Sequence, residues 1–288
     1  MKKYHIAVLL HESDNEHTLN HALIKDYSRY WREDGHEVIY IYGTKHFIPA
    51  DVVIVHVDLS VVPDEYLEFA KQYPVALNAG IKDIRKSVIS EQNLNKDDIW
   101  SGSVIVKSNN NCAGIPERIR NSKSGRVGKR IMRLMNRLPG KWFLFPLTSN
   151  DYKIFDNLSQ VPKSFFYRSD IVVQKFTPEI DDGLYCVRNM TFIGDHVVCT
   201  RLKSNHPVVK GGNSVEIENG IKVHPDMLQL QYEMGFDYGK FDYVEVDGKA
   251  ILLDANKTVG FSARLDQNTE LSASRRYRAE GLYSYLKG

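Results

Sequence analysis

GFDYGKFDYVEVDGKAILLDANKTVG, running from Gly235 to Gly260, is the stretch on which the reading of the fold turns. It holds two strand-like runs, Phe241–Val246 and Lys249–Ala255, around an Asp247-Gly248 turn signal. The second run is apolar until it meets Asp254 and Asn256. Side chains alternate along a strand, so these two are expected on one face with Ala250 and Leu252, and Ile251, Leu253 and Ala255 on the other. A charge at the end of a buried strand is costly without a partner, and a metal ion is one such partner. Asp242, on the facing run, offers a third oxygen of the kind that Mg²⁺ prefers. The register is then decisive. A two-residue turn pairs Val246 with Lys249 and sets Leu253 opposite Asp242, which sends Asp254 to the other face. Asp-Gly suits that turn. A shared metal site demands instead an odd-length loop centred on Gly248, or a bulge in one strand. The expectation is that the site prevails and Asp242 faces Asp254.

Working outward, the 288 residues can bury one large core or two to three small ones. A net charge of +2 gives no electrostatic case for a nucleic-acid or membrane partner. Cys112, Cys186 and Cys199 lack metal-binding spacing and read as reduced core thiols of a cytoplasmic protein. The apolar run near the N-terminus meets His11-Glu12 too early for a signal peptide and reads as a first strand. No run approaches the ~18 apolar residues of a membrane span.

Along the chain, strands are expected at Tyr4–Leu10, His36–Tyr42, Asp51–Val57 and Pro74–Leu77, with helices over His17–Asp34 and Asp64–Gln72. Gly35 is a C-cap candidate. This order predicts a small doubly wound α/β unit. Further on, a helix is expected over Asp83–Asn93 and strands at Ser103–Lys107, Asp170–Gln174, Leu184–Ile193 and His196–Leu202. Asp226–Met234 and Ser272–Leu286 read as helices. The basic stretch Arg126–Arg137 reads as a lid or a solvated helix, since no aromatic residues interleave its charges for stacking on bases. His17 and His21 have metal spacing on a helix but no third ligand, and read as surface residues.

The Asp242, Asp254, Asn256 set followed by Lys257-Thr258-Val259-Gly260 resembles the C-terminal signature of the ATP-grasp superfamily. That signature is an Asp on one strand, an acid-x-Asn ending the next, and a short loop with Gly. Two departures stand out: the family usually has Glu where Asp254 stands, and often Pro before the Gly. The resemblance extends over roughly 82–260. Lys107, ending SVIVK before a polar loop, matches a lysine that contacts nucleotide phosphates as a mobile point charge. An earlier family lysine lies in a helix, and Lys86 matches it best, with Lys82 and Arg85 close by. The DIVVQKF run matches the strand and linker that hold adenine. Gln174 stands where a Glu usually takes the exocyclic amine, and its carbonyl oxygen can accept the same hydrogen bond. Lys175 would reach the α-phosphate or N7, and Phe176 would supply linker backbone and an aromatic wall. Glu179 or Asp182 would bind ribose, Glu179 being preferred. Arg188 and Arg201 match arginines directed at the acyl phosphate or γ-phosphate, a role suited to a planar guanidinium. Neither Asn109–Gly114 nor the segment 124–129 has the full pattern of the family's glycine-rich phosphate loop.

The resemblance implies an α/β, ATP-grasp-like fold: a small N-terminal doubly wound domain (1–80), a central nucleotide-clamping subdomain with a lid (81–174) and a C-terminal metal- and substrate-binding subdomain (175–288). The last two are α+β and would clamp ATP between them. It implies ATP and Mg²⁺ as cofactors. The activity implied is a ligase that activates a carboxylate as an acyl phosphate for attack by an amine. The expected partner is a small-molecule or peptide substrate, with a homodimer allowed. A kinase acting on a hydroxyl, a nucleotide-binding module without turnover, and a nucleic-acid partner using the basic stretch stay open at this point.

Overall fold

In the computed structural model, residues 2–121, 152–260 and 269–286 are described. The chain divides into two compact units, one formed by Met1–Asp83 with Glu179–Gly288 and the other by Ile84–Pro178. The expected basic stretch 126–137 lies outside the described residues.

The first unit opens with β1 (His5–Leu10), α1 (Leu23–Glu33), β2 (Glu37–Tyr42), β3 (Val52–Val55), α2 (Asp64–Ala70) and β4 (Ala76–Leu77). The strands form a parallel sheet in the order β2-β1-β3-β4. Its apolar runs are continuous because both faces are covered. Ile6, Val8, Leu10, Val52 and Ile54 point to the side of α1, where Ile24, Tyr27 and Trp31 are buried. Ala7, Leu9, Val53 and Val55 point to the side of α2, against Tyr66, Leu67 and Phe69. This is the doubly wound unit expected from sequence. Period two in the strands and 3.6 in the helices together divide the core into two layers.

One expected element is broken. The helix expected over His17–Asp34 is a 3₁₀ turn, Thr18–His21, followed by α1, with Ala22 extended between them. Ala22 pairs with Gly260, and the Leu23 amide donates to the Val259 carbonyl at 2.8 Å. The loop after the Gly235–Gly260 hairpin therefore takes over backbone groups that a continuous helix would have satisfied internally. Gly35 does end α1 in the left-handed region, at φ 88°.

The second unit contains α3 (Lys86–Ile89), β5 (Val104–Ser108), α4 (Ile115–Asn121), β6 (Lys153–Phe155) and β7 (Ile171–Lys175). The three strands form an antiparallel sheet, β6-β5-β7, over a core that includes Val104, Val106, Phe165, Ile171 and Val173. The helix expected over Asp83–Asn93 is only the one turn of α3. Asn93 instead forms an isolated bridge to Gln174, and its side-chain amide donates to the Lys86 and Ser90 carbonyls, closing that turn. Cys112 is exposed rather than in the core, whereas Cys186 and Cys199 are buried.

The chain then returns to the first unit with β8 (Glu179–Asp181), β9 (Leu184–Ile193), β10 (His196–Ser204), β11 (Glu216–Asn219), α5 (Pro225–Glu233), β12 (Tyr238–Val246), β13 (Lys249–Asn256) and α6 (Thr269–Glu280). Five strands run β11-β10-β9-β12-β13, and β8 also pairs with β9. α6 docks on α1. The Trp31 indole N–H donates to the Ala279 carbonyl at 2.8 Å, the Arg278 Nε donates to the Tyr27 hydroxyl at 2.9 Å, and Arg275 pairs with Asp26 at 2.6 Å. The arginines of the last helix thus tie down the core. Among the described residues no helix is long and apolar enough to cross a membrane.

Candidate functional site

The β12–β13 hairpin satisfies both of the conflicting demands in its sequence. Asp247 and Gly248 form a two-residue turn with φ of 52° and 72°, and Val246 pairs with Lys249. The register then shifts between Asp242 and Tyr243. Tyr243 stands opposite Leu252 and Asp242 opposite Asp254, so that Leu253 is the extra residue of a bulge. The bulge corrects one expectation: Asp254 and Asn256 do not share a face with Leu252. Leu252 stays with buried Tyr243, while Asp254 and Asn256 turn to the face of Asp242.

That face carries a compact polar set. Asp242 pairs in register with Asp254 on one side and Asn189 of β9 on the other, and Lys240 pairs with Asn256 and Thr191. Directly opposed residues of an antiparallel pair project together. The Asn189 side-chain amide donates to Asp242 Oδ1 at 2.5 Å, and the Lys240 ammonium lies 2.9 Å from Asp242 Oδ2. Sequence reasoning missed Lys240 and Asn189. Their signal is the i, i+2 spacing from Asp242 for Lys240, and only the strand pairing for Asn189. Asn256 Oδ1 accepts from the Thr258 amide at 2.8 Å, and the Thr258 hydroxyl donates to Asp58 Oδ1 at 2.7 Å. The loop after β13 is thereby fixed to the segment that follows β3.

Arg188 and Arg201 lie elsewhere. They pair with each other in register, and Arg188 also with Tyr243, on the opposite face of the sheet from Asp242. Glu179 is on that face too. Arg188 Nε and Nη2 donate to the Glu179 carboxylate at 2.9–3.1 Å, and Arg188 Nη1 lies 3.0 Å from Glu245. Arg201 donates to Glu218 at 2.6 Å and Asp181 at 2.9 Å, while Lys203 lies 2.7 Å from Asp181 and 2.8 Å from Glu218. Hydrogen bonds from Arg201 and Lys203 lower the Glu218 carboxyl to about 2, and the bond to Glu218 raises the Arg201 guanidinium. Glu179 also accepts from the Glu245 amide at 2.8 Å. Arg188 and Arg201, expected to be directed at a phosphoryl group, are thus engaged with carboxylates of this chain on the face away from the Asp/Asp/Asn set, and Glu179, expected at a ribose, is taken up by Arg188 and the Glu245 amide. Even spacing along β9 and β10 puts these residues with Cys186, Met190 and Cys199, and the charges on that face neutralise one another.

In the second unit, Lys107 and Gln174 share one face of the three-stranded sheet, since Ile105 pairs with Gln174 and Lys107 with Val172. Gln174 is buried, and its amide donates to Asn93 Oδ1 at 3.0 Å. Asn93 in turn donates to the carbonyl of Lys86, itself buried. Asn93 thus links the predicted Lys86 and Gln174, and nothing in the sequence flagged it. Lys175 pairs with Val104, on the face of the core, and its ammonium sits 5.0 Å from the Trp100 ring centroid. It stands on the other face of the sheet from Lys107. Phe176 is half-buried, with its amide donating to the Ser103 carbonyl at 2.9 Å.

The donors on the Asp242 face suit a magnesium ion, which usually takes one or two carboxylates from a protein and completes its shell with water and phosphate oxygens. Among the described residues no group of three His, Cys, Asp or Glu side chains forms a metal cluster. The set here is two carboxylates and an amide. His17 and His21 are exposed on their short turn.

No protein-family model matches the chain. No curated protein matches it either. Solved structures do align with it. A D-alanine–D-alanine ligase from Bacillus anthracis is 12% identical over 99% of this chain and 97% of that one, with a TM-score of 0.48. A RimK domain ATP-grasp protein from Sphaerobacter thermophilus is 11% identical over 98% and 100%, with a TM-score of 0.49. A RiPP-associated ATP-grasp ligase from Chryseobacterium gregarium, solved with ADP and a leader and core peptide, is 12% identical over 97% and 96%, with a TM-score of 0.47.

Proposed function

We propose that this chain is an ATP-dependent ligase of the ATP-grasp type, joining a carboxylate to an amine. The observation that carries the reading is the bulge at Leu253, which sets Asp254 opposite Asp242 with Asn256 and Lys240 on the same face. A bulge that re-aims one carboxylate against the local preference of its turn is a feature of function more than of folding. Lys107 and Gln174, on one face of the other unit's sheet, are the second support.

In this reading Asp242, Asp254 and Asn256 hold Mg²⁺, which neutralises charge on the transferring phosphoryl group. Lys107 supplies a point charge for nucleotide phosphates, Lys86 a second, and Gln174 with Phe176 lines the adenine end. Asn93 orients Gln174. A carboxylate oxygen of the substrate attacks the γ-phosphorus, the bond to the ADP oxygen breaks, and an acyl phosphate results. The amine nitrogen then attacks the acyl carbon, phosphate leaves, and the amine gives up a proton. Such a reaction rests on positioning and electrostatics and needs no protein nucleophile. Arg188, Arg201 and Glu179 act in this reading as a frame beneath the site. Their engagement with one another is also what favours the second reading, a module that binds nucleotide without turning it over.

The test is ADP release from ATP with pooled small and peptide carboxylates, with and without hydroxylamine. A hydroxamate product supports the ligase. A stable phosphorylated product would establish a kinase instead, and ATP binding without ADP release would establish the module.

A further inference from the structure

The two opposed carboxylates are not held apart by solvent alone. Asp242 and Asp254 are an in-register pair, an arrangement that destabilises a sheet when both bear the same charge. The cation that offsets this comes from the strand itself. Lys240 is two residues before Asp242, on the same face, and its ammonium is 2.9 Å from Asp242 Oδ2 while Asn189 takes Oδ1. Both side chains are about three-quarters buried, Lys240 at 26% and Asp242 at 23% exposure, so the ion pair is screened less by solvent than a fully exposed pair. Each oxygen of Asp242 therefore already has a donor on it. A divalent cation that uses Asp242 must take one of these positions, and the oxygen held by Asn189 sits in the middle of the sheet while the oxygen held by Lys240 is bonded to a flexible chain.

We propose that Lys240 is a built-in stand-in for the metal: its ammonium occupies the Oδ2 side of Asp242 and is exchanged for the divalent cation when that cation binds. The inference rests on the metal-binding reading of Asp242 and Asp254 given above. Lys240 is a positioning residue in this account. It keeps the two carboxylates opposed before loading, and it opposes binding of the bare metal by direct competition. Bare metal thus binds weakly, and a metal arriving with phosphate oxygens binds better, because those oxygens give the displaced ammonium a new anionic partner.

The experiment is Mn²⁺ binding without nucleotide, followed by the electron paramagnetic resonance signal of free Mn²⁺, on the full chain and on K240M, K240R and D242N. Removing the competing charge in K240M should tighten Mn²⁺ binding on the order of tenfold, whereas K240R should stay near the parent chain. Addition of a non-hydrolysable ATP analogue should then narrow the gap between K240M and the parent. Circular dichroism and a melting curve establish that each variant is folded. Equal or weaker Mn²⁺ binding by K240M, in a chain whose D242N variant has lost it, would overturn the exchange while leaving the metal site standing. Mn²⁺ binding that D242N leaves unchanged would overturn both.

Discussion

Asp254 stands directly opposite Asp242, although the Asp247-Gly248 turn that joins their strands would by itself have brought Leu253 there. One surplus residue reverses the facing of everything beyond it. The turn keeps its preferred two-residue form, and the carboxylates still meet.

If that meeting holds a metal and nucleotide, Mg-ATP at about a hundred times its Kd should stabilise the protein by ~2.7 kcal/mol. For a chain of this size that is a rise of several degrees in Tm. D254N should abolish most of the rise with little change in the Tm of the unliganded protein. A thermal-shift titration to millimolar Mg-ATP checks both, and a flat response from the parent chain would remove the nucleotide reading.

A Cβ added at Gly239 would lie 2.7 Å from the Asn256 carbonyl and 3.1 Å from the Phe236 ring. G239A should therefore push the end of β13 away from β12 and cost about 1–3 kcal/mol, as overpacking does. The displaced segment includes Asn256, so the Mg-ATP shift should fall together with stability. Urea unfolding with and without Mg-ATP separates the two effects.

How much of this was legible in the sequence differs from region to region. The N-terminal sheet was readable because Val52–Val55 and Ile6–Leu10 are apolar on both faces, and only a doubly covered parallel strand has use for that. The acid pair was readable from Asp254-x-Asn256 near a turn, and so was the conflict with the turn. Its resolution at Leu253 was not, because a bulge residue is chemically like its neighbours. The face that Arg188 and Arg201 occupy was not legible either, because strand parity, not residue type, decides it. Arg188 and Asn189 are adjacent and serve opposite sides of one sheet. The break at Ala22 was hidden because its cause, Gly260, is distant in sequence.

Glu179 provides a contrast with the site residues. It is buried, it accepts from both Arg188 and the Glu245 amide, and Arg201 lies 3.5 Å away. E179A strands these donors and should destabilise the protein by about 3–5 kcal/mol. Its affinity for Mg-ATP, measured by calorimetry at a temperature where the variant is folded, should change less than threefold. A large loss of affinity without loss of stability would return Glu179 to a ligand-binding role.

His36 gives a pH dependence. It is buried between the rings of Tyr4 and Tyr283, and its Nδ1 accepts from the Tyr4 amide at 3.3 Å. Burial lowers its pKa below the ordinary 6.5, against the opposing pull of Asp34. The unfolded chain then binds the proton more readily, so His36 contributes stability that is present above pH 6.5 and lost as the pH falls through the folded value. Stability should decline from about pH 6.5 downward, and H36N should flatten that part of the profile. Unfolding in urea from pH 8 to 5 measures it.

The docking of α6 on α1 has a consequence for how the protein is made. Trp31 waits for Ala279, 248 residues later. At roughly 5–20 residues per second on the ribosome, the face of the N-terminal sheet that Trp31 covers stays without its last layer for about 12 to 50 s. During that time the whole of the segment 84–178 emerges and is free to fold. The order of synthesis is therefore inside-out: the inserted unit can be finished before the unit that flanks it. A ribosome stalled before α6 should display the N-terminal sheet as a chaperone client, and release of that client should coincide with emergence of residues 269–286.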